Sequence, residues 1–199
     1  MSGDGLTGNI AIWYWNGNAW TDSEDFDVDT SDSLDAQWLT VKSDPVSDDL
    51  QAIIVDSGSD LATAYWSGSA WTVTSNIDTD VDVSFTRPAD FAWNLTGSTG
   101  KLVWDTDTTA TTLSQRTCLP SCTGSTTISS YGGAGTWIQL HTNPNSIDTV
   151  NIIGLRLNNA FDIGSFRWDG SAFTNYGDSQ MTQDTTVTTF EAYSFDFTP

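Results

Sequence analysis

Short apolar runs alternate with polar turn sequences along this chain. Between Trp38 and Thr74 the apolar runs are separated by Asp-Pro, Ser-Gly-Ser-Asp and Ser-Gly-Ser, which are residues that turns favour. No window keeps the 3.6-residue apolar period of an amphipathic helix. The pattern therefore predicts an all-β chain with almost no helix, and four short strands in this span. These predicted strands are Trp38–Ser43, Leu50–Asp56, Leu61–Trp66 and Ala70–Thr74.

The same pattern occurs twice in the sequence. Residues 38–72 and 137–174 both begin with Trp, reach Asp-Pro or Asn-Pro six residues later, and end in a Trp-x-Gly-Ser-Ala-aromatic-Thr turn. A related turn follows Trp15, and Trp15, Trp66 and Trp168 are separated by 51 and then 102 residues. These spacings indicate a repeating unit of about 50 residues nested within a duplication of about 100.

Some predicted strands are apolar on both faces. Ala52–Val55 and Ile10–Trp13 contain no polar position, whereas a strand of a two-sheet sandwich leaves one face to solvent. Strands covered on both faces are typical of sheets stacked in series, as in propeller blades. We therefore expect antiparallel four-stranded meanders stacked propeller-like, one repeat pair in residues 1–95 and another in 96–199. Two tandem β-sandwiches are the alternative.

The two ends of the chain carry parts of one repeating unit. Ser194–Phe197 resembles Asp90–Trp93, and Leu6–Trp13 resembles Leu95–Trp104, which follows it in the internal copy. Three arrangements fit this permutation. The ends close a ring within one chain, the chain is cut from a longer tandem array, or the terminal strand of one subunit completes the sheet of the next. An unpaired edge strand is a template for such addition.

The charge of the chain narrows the classes of partner. With 26 acidic and 6 basic residues, the formal net charge is −20. A negative field of this size repels nucleic acid and anionic membranes, so neither is expected as a partner. No run of 18 apolar residues occurs, so no membrane-spanning helix is predicted.

Calcium is the one cofactor that the sequence suggests. Hard cations take six to eight oxygen ligands, many of them from carboxylates. A solvated acidic loop without a metal is the alternative, and smaller carboxylate sets occur at Asp78, Asp80 and Asp82. The densest supply lies in one predicted loop and consists of Asp22, Glu24, Asp25, Asp27, Asp29 and Asp32.

The two cysteines and one asparagine suggest covalent features of an extracellular protein. Cys118 and Cys122 are the only cysteines and His141 is the only histidine, so the soft ligands needed for a zinc site are missing. A local disulfide is the better interpretation, and it implies an oxidising, extracellular setting. Asn94 begins an Asn-Leu-Thr glycosylation acceptor pattern.

No catalytic residue is predicted. His141 occupies the repeat position that Lys42 holds in the other copy. A position that tolerates either residue is typical of a solvent-facing strand residue rather than a general base. Trp20, Trp71 and Phe173 follow tight turns and suit stacking on sugar rings. The alternative for these three aromatic residues is packing between blades.

The turn motif also carries a family resemblance. Trp-Ser-Gly-Ser-Ala-Trp at 66–71 and Trp-Asp-Gly-Ser-Ala-Phe at 168–173 each follow a Pro-containing turn and an apolar strand. They resemble tandem extracellular β-repeats of bacteria and archaea, found in propeller-like or filament-forming surface proteins. The resemblance implies a structural subunit of an extracellular filament or surface protein that assembles with copies of itself. A surface adhesin or carbohydrate-binding module, with glycans as partners, is the alternative function, and a propeller-type glycosidase is the third.

Overall fold

A computed structural model gives the structure of the chain, and every regular element in its described residues is a β-strand. The prediction of an all-β chain is thereby confirmed, and no helix in this part of the chain is long and apolar enough to cross a membrane. The described residues are 9–27, 36–83, 87–106, 113–119, 121–128, 137–144, 152–157, 163–176 and 194–197.

The strands form three four-stranded antiparallel meanders and one two-stranded hairpin. We call β3 to β6 the first blade, β7 to β10 the second blade, β11 to β14 the third blade, and β1 with β2 the half-blade. The strand bounds are β1 Asn9–Trp15, β2 Trp20–Asp27, β3 Ala36–Ser43, β4 Leu50–Asp56, β5 Leu61–Trp66, β6 Trp71–Asp78, β7 Ala89–Trp93, β8 Gly100–Asp105, β9 Leu113–Leu119, β10 Ser121–Ile128, β11 Trp137–Thr142, β12 Ile152–Leu157, β13 Ile163–Trp168 and β14 Phe173–Asn175.

The repeat unit predicted from the sequence is the structural unit. Residues 38–72 and 137–174 fall within the first and third blades, and both blades are simple up-and-down meanders. The tandem-sandwich alternative is wrong, because the sheets stack in series with apolar residues on both faces. The division predicted at 95/96 falls in the turn between β7 and β8, which are paired strands of the second blade.

Apolar residues cover both faces of the first blade, and a neighbouring sheet packs against each face. Successive residues of a strand point to opposite faces, so adjacent residues contact different neighbours. On β4, Ile53 and Val55 pack against the second blade, whereas Ala52 and Ile54 pack against the half-blade. The second blade shows the same alternation, since Phe91 contributes to the layer with the first blade and its neighbour Ala92 to the layer with the third. Each fully buried Ile, Val or Phe side chain contributes about 1.5–3 kcal/mol relative to exposure.

The first strands of the blades lie beside one another and form the inner rim of the stack. The indole of Trp38 donates a hydrogen bond to the Ala89 carbonyl at 3.2 Å, and that of Trp93 donates to the Lys42 carbonyl at 3.0 Å. The third blade joins through a parallel bridge between Arg87 and Trp137. With these contacts β3, β7 and β11 run parallel to one another, as expected of the inner strands of propeller blades.

The repeated Trp-x-Gly turn closes the outer hairpin of a blade. A side-chain oxygen at the second position accepts hydrogen bonds from backbone N–H groups two or three residues ahead, and the glycine after it has positive φ. At Asp169 these bonds stabilise the carboxylate and lower its pKa to about 2. In the second blade, the disulfide Cys118–Cys122 lies where the other hairpins carry an aromatic pair. The aromatic pairs are Trp15–Trp20, Trp66–Trp71 and Trp168–Phe173.

Gly154 marks the tightest packing within the third blade. A Cβ atom at this position would lie 2.1 Å from the ring of Phe166, its cross-strand partner, and 2.8 Å from Leu140. In the second blade a Cβ atom on Gly100 would also lie 2.1 Å from a phenylalanine ring, that of Phe91, although the cross-strand partner of Gly100 is Trp93. A glycine that leaves space for a phenylalanine ring therefore occurs in both blades.

We predict that Gly154→Ala destabilises the chain by about 1–3 kcal/mol, because an extra methyl group in a filled core displaces the Phe166 ring. Urea unfolding measures the change. Ser69→Ala, in an exposed turn, is the control and should leave stability within about 0.5 kcal/mol of the parent. Equal stability of the two variants would contradict the predicted close packing.

Candidate functional site

A cavity of about 380 Å³ opens where β3, β7 and β11 end. Its polar lining consists of Lys42 and Ser43 from the first blade and His141 and Thr142 from the third. These two pairs occupy equivalent repeat positions, so the 50-residue period itself brings them together. Trp93 of the second blade lies between them and accepts a hydrogen bond on its carbonyl from the Thr142 hydroxyl. We call this space the central cavity.

Apolar walls complete the central cavity. Pro45 and Pro144, again equivalent positions of the two copies, lie on opposite sides, and Leu95 and Trp93 lie between them. The proline rings and Leu95 offer apolar surface, while ammonium, imidazole and hydroxyl groups supply hydrogen bonds. The Trp93 indole is almost fully buried against the first blade. Few polar groups on a mostly apolar wall are typical of a small-molecule site.

The buried carboxylate of Asp90 organises the base of the cavity. It accepts hydrogen bonds from the Arg87 guanidinium at 2.9 Å and from the Leu140 backbone N–H at 2.8 Å. The Lys42 ammonium lies 3.6 Å from its other oxygen. Lys42, Asp90 and Leu140 belong to the first, second and third blades, so one carboxylate ties all three together.

We predict that Asp90→Ala costs about 3–5 kcal/mol of stability, since it leaves the largely buried guanidinium of Arg87 without this carboxylate. Asp90→Asn should cost less, because the amide oxygen can still accept from the Leu140 N–H. Thermal and urea unfolding of both variants give the comparison. Equal losses would show that the hydrogen bond to the third blade contributes nothing.

His141 is half-buried rather than fully solvent-facing as predicted. Its Nδ1 lies 3.6 Å from the Asp196 carboxylate, and its ring packs edge-on against Phe195 at 4.6 Å. Burial and the Lys42 charge lower its pKa, while the carboxylates of Asp90 and Asp196 act in the opposite sense. A lowered pKa favours the neutral imidazole near pH 7, in which one ring nitrogen donates a hydrogen bond and the other accepts one.

A second space, of about 460 Å³, lies between the half-blade and the first blade. Trp13 and Trp20 of the half-blade and Trp71 of the first blade line it together with aliphatic residues of β1, β3 and β4. No charged residue is among its described lining. Trp20 and Trp71 are sugar-stacking candidates in the sequence, and the structure brings them together here. Phe173, the third candidate, packs against Trp168 between the second and third blades. We call this space the interblade groove.

The acidic segment differs from the predicted loop. Asp22, Glu24, Asp25 and Asp27 lie in β2, where the backbone pairs with β1, so the prediction of a loop at these four residues is wrong. The reason is the hairpin turn after Trp15, which directs the following residues back along β1. Their side chains, together with Asp29 and Asp32, lie outside the described part of the structure, so calcium binding there stays a prediction.

The other predicted metal and covalent sites have clear positions. The described residues contain no group of three or more Asp, Glu, His or Cys side chains arranged to hold a metal. Asp78, Asp80 and Asp82 therefore do not form such a group. The Asn94 side chain is almost buried, and its Nδ2, the atom that a glycan would modify, donates to the Thr99 hydroxyl. This asparagine therefore serves the turn between β7 and β8, and its glycosylation stays untested.

Lys101 is a buried cation outside both cavities. Its ammonium donates to Gln115 at 3.1 Å and Thr117 at 2.6 Å, and lies 3.6 Å from the centre of the Trp168 ring. Burial disfavours the charged form and lowers the pKa of Lys101 from 10.5 to about 8. The charged form of Lys101, between the second and third blades, therefore lowers the stability of the folded chain.

We predict that the chain becomes more stable as the pH rises and Lys101 loses its proton in the folded state. Below about pH 8 Lys101 is charged in both states, whereas between about 8 and 10.5 the unfolded chain retains a proton that the folded chain has released. Stability therefore rises with pH through that window, by about 2 kcal/mol. Urea unfolding of the parent and Lys101→Met across this window isolates the effect. A parent-to-variant difference that does not change with pH would contradict it.

The fold has clear relatives among solved structures, although no model of a known protein family and no curated protein matches the chain. It is similar to the fucose-specific lectin from Aleuria aurantia in a mercury-derivative form, with a TM-score of 0.53, 12% identity, and coverage of 86% of this chain and 53% of the lectin. A second crystal structure of that fungal lectin is described as a six-bladed β-propeller. It matches with a TM-score of 0.52 and 12% identity, over 86% of this chain and 56% of the lectin. A variant of the lectin in complex with α-methyl-L-fucoside matches with a TM-score of 0.51 and 12% identity, over 85% of this chain and 51% of the lectin.

These likenesses define the class of fold. The chain is a β-propeller-type protein built from four-stranded antiparallel blades. It spans about half the length of the lectins that it matches. At 12% identity the similarity shows the architecture alone.

Proposed function

We propose that the chain is an extracellular carbohydrate-binding module and that the central cavity is its sugar site. The observation that carries the proposal is the lining of this cavity, where Lys42, Ser43, His141 and Thr142 surround a space of about 380 Å³. Sugar rings need hydrogen-bonding groups for their hydroxyls and flat apolar surfaces for their C–H faces. The cavity offers both, whereas the described lining of the interblade groove is apolar apart from its indole N–H groups.

The charges of the cavity favour a neutral or weakly acidic sugar. Lys42 is held toward Asp90, so its ammonium is fixed in place and still about one quarter exposed. A fixed charged donor to a sugar hydroxyl contributes about 1.5–3 kcal/mol. The structural neighbours are fucose-specific lectins, which makes α-methyl-L-fucoside the first probe.

A binding role fits better than a catalytic one. The sole imidazole, that of His141, has a carboxylate and a phenylalanine ring as its described neighbours, and neither is a nucleophile for acyl transfer. The disulfide Cys118–Cys122 supports the extracellular setting, because such bonds persist in oxidising compartments.

We predict that Lys42→Met weakens sugar binding by about tenfold or more, since it removes one charged hydrogen-bond donor. Titration calorimetry with α-methyl-L-fucoside, preceded by a glycan array on the parent, measures the change. Lys101→Met is the matched control, because it removes another lysine that lies outside the cavity. Asp90 keeps its bonds from Arg87 and Leu140 in the Lys42 variant, so the fold is expected to persist.

Trp20→Ala separates the central cavity from the aromatic site predicted from the sequence. Binding that survives Trp20→Ala and fails in Lys42→Met supports the central cavity. The reverse result places the sugar in the interblade groove and refutes the cavity. A parent that binds nothing on a broad array refutes the carbohydrate function itself.

The second candidate function is that of a structural subunit that assembles with copies of itself. The interblade groove favours it, because its walls are apolar and Trp13 and Trp20 remain more than half exposed. Exposed apolar surface of this kind is typical of protein interfaces. Size measurements of the purified chain at increasing concentration test this function, and a monomer throughout would refute it.

A further inference from the structure

The first and third blades differ in how their inner strands are covered. Val41 and Leu140 lie three residues after the equivalent Trp38 and Trp137, and they occupy equivalent positions in the two copies. Leu140 is 1% exposed, because β7 of the preceding blade covers it, whereas Val41 is 48% exposed and lines the interblade groove. The interblade groove is therefore the place where no described strand covers β3 of the first blade as β7 covers β11 of the third.

The segment Ser194–Phe197 has the features of that strand. Its sequence resembles Asp90–Trp93 of β7, and it lies against the third blade as β7 lies against the first. The carboxylate of Asp90 lies 3.6 Å from the Lys42 ammonium, and that of Asp196 lies 3.6 Å from Nδ1 of His141. Lys42 and His141 are equivalent positions, so Asp196 takes the place of Asp90 by its contact, whereas in the sequence it aligns with Ala92.

The two faces of β7 contact different blades, whereas the described contacts of the C-terminal segment are with the third blade alone. β7 contacts the first blade through Phe91 and Trp93, and the third blade through Ala92 and the bond from the Leu140 N–H to Asp90. The C-terminal segment contacts the third blade through Phe195 and Asp196. Asp196 remains largely exposed, so the segment can receive a further blade without moving.

We propose that the segment Ser194–Phe197 of one copy docks into the interblade groove of a second copy, beside β3. There it covers Leu39 and Val41, and the Asp196 carboxylate accepts a hydrogen bond from the Val41 backbone N–H, as Asp90 does from Leu140. The contact repeats the layer between the second and third blades across two chains. This inference rests on the second proposed function, self-assembly.

The occupant is a second copy because the chain's own segment contacts the third blade and leaves the groove open. Among the described residues that line the groove, none belongs to Ser194–Phe197. A head-to-tail contact of this kind leaves one free groove and one free segment at the ends, so it builds rings or open filaments. With a net charge of −20 on each copy, salt that screens repulsion should strengthen the association.

The test uses size-exclusion chromatography with light scattering across a wide range of protein and salt concentrations. We expect the parent to associate, and Val41→Asp to weaken association by at least tenfold, because it places a carboxylate against Asp196. Leu119→Asp is the matched control, since Leu119 is 57% exposed on the hairpin of the second blade and the charge change is the same. Asp196→Ala, in an exposed segment, should also weaken association.

A mixing experiment tests the direction of the contact. Val41→Asp keeps an intact segment, and a double variant Asp196→Ala with Phe197→Ala keeps an intact groove. Each alone should remain monomeric, whereas their mixture should form a one-to-one dimer. Circular dichroism and the Tm of each variant establish that it is folded.

The outcomes separate the two proposals. A parent that stays monomeric refutes self-assembly and this inference together. A parent that associates equally well with Val41→Asp refutes only the docking of the segment. A lower Tm for Val41→Asp with no change in a monomeric mass would indicate closure within one chain, which also overturns the second-copy proposal.

Discussion

The requirement that both faces of every blade be buried governs this structure. A sheet such as β3 to β6 carries Ile53 and Val55 on one face and Ala52 and Ile54 on the other, so a single partner leaves one apolar face in water. An open stack of blades buries both faces of its interior blades but leaves two terminal faces, whereas a closed ring leaves none. The half-blade covers part of one of them, and the exposed Val41 shows where that cover ends. The interblade groove is thus a direct consequence of the repeat architecture.

Polar contacts at the inner rim fix the register of the stack. Apolar faces alone would allow neighbouring blades to slide. The hydrogen bonds from Arg87 and the Leu140 N–H to the Asp90 carboxylate, with the ion pair to Lys42, define one alignment. A buried charge is costly unless it is paired and hydrogen-bonded, and here it is both. Lys42 belongs both to this contact and to the lining of the central cavity. The interaction that orders the blades therefore also positions a polar residue of the cavity.

The sequence predicted the strands better than the sites. The four strands of the first blade were placed within a few residues, because alternating apolar residues and Gly-containing turns are local signals. The segment at Asp22–Asp27 was misjudged because composition suggested a loop, whereas pairing with β1 decides the backbone. Trp20 and Trp71 are equivalent positions of consecutive units and both line the interblade groove, where stacking on sugar rings stays a prediction. The central cavity was missed, although Pro45 and Pro144 are visible as repeat equivalents, because only the stacking geometry shows that their turns converge.

The two proposed activities are compatible because they use different surfaces of the same stack. The central cavity lies at the ends of the inner strands, and the interblade groove lies on a blade face. Val41 lines both spaces. His141 of the central cavity also contacts Phe195 and Asp196, which belong to the segment proposed to join two copies. Assembly would hold that segment in place beside the cavity and align several cavities along one particle. Weak single sites on such an array gain avidity without any new contact to the sugar, so the assembly of a propeller from repeats would itself strengthen its binding to a glycan-covered surface.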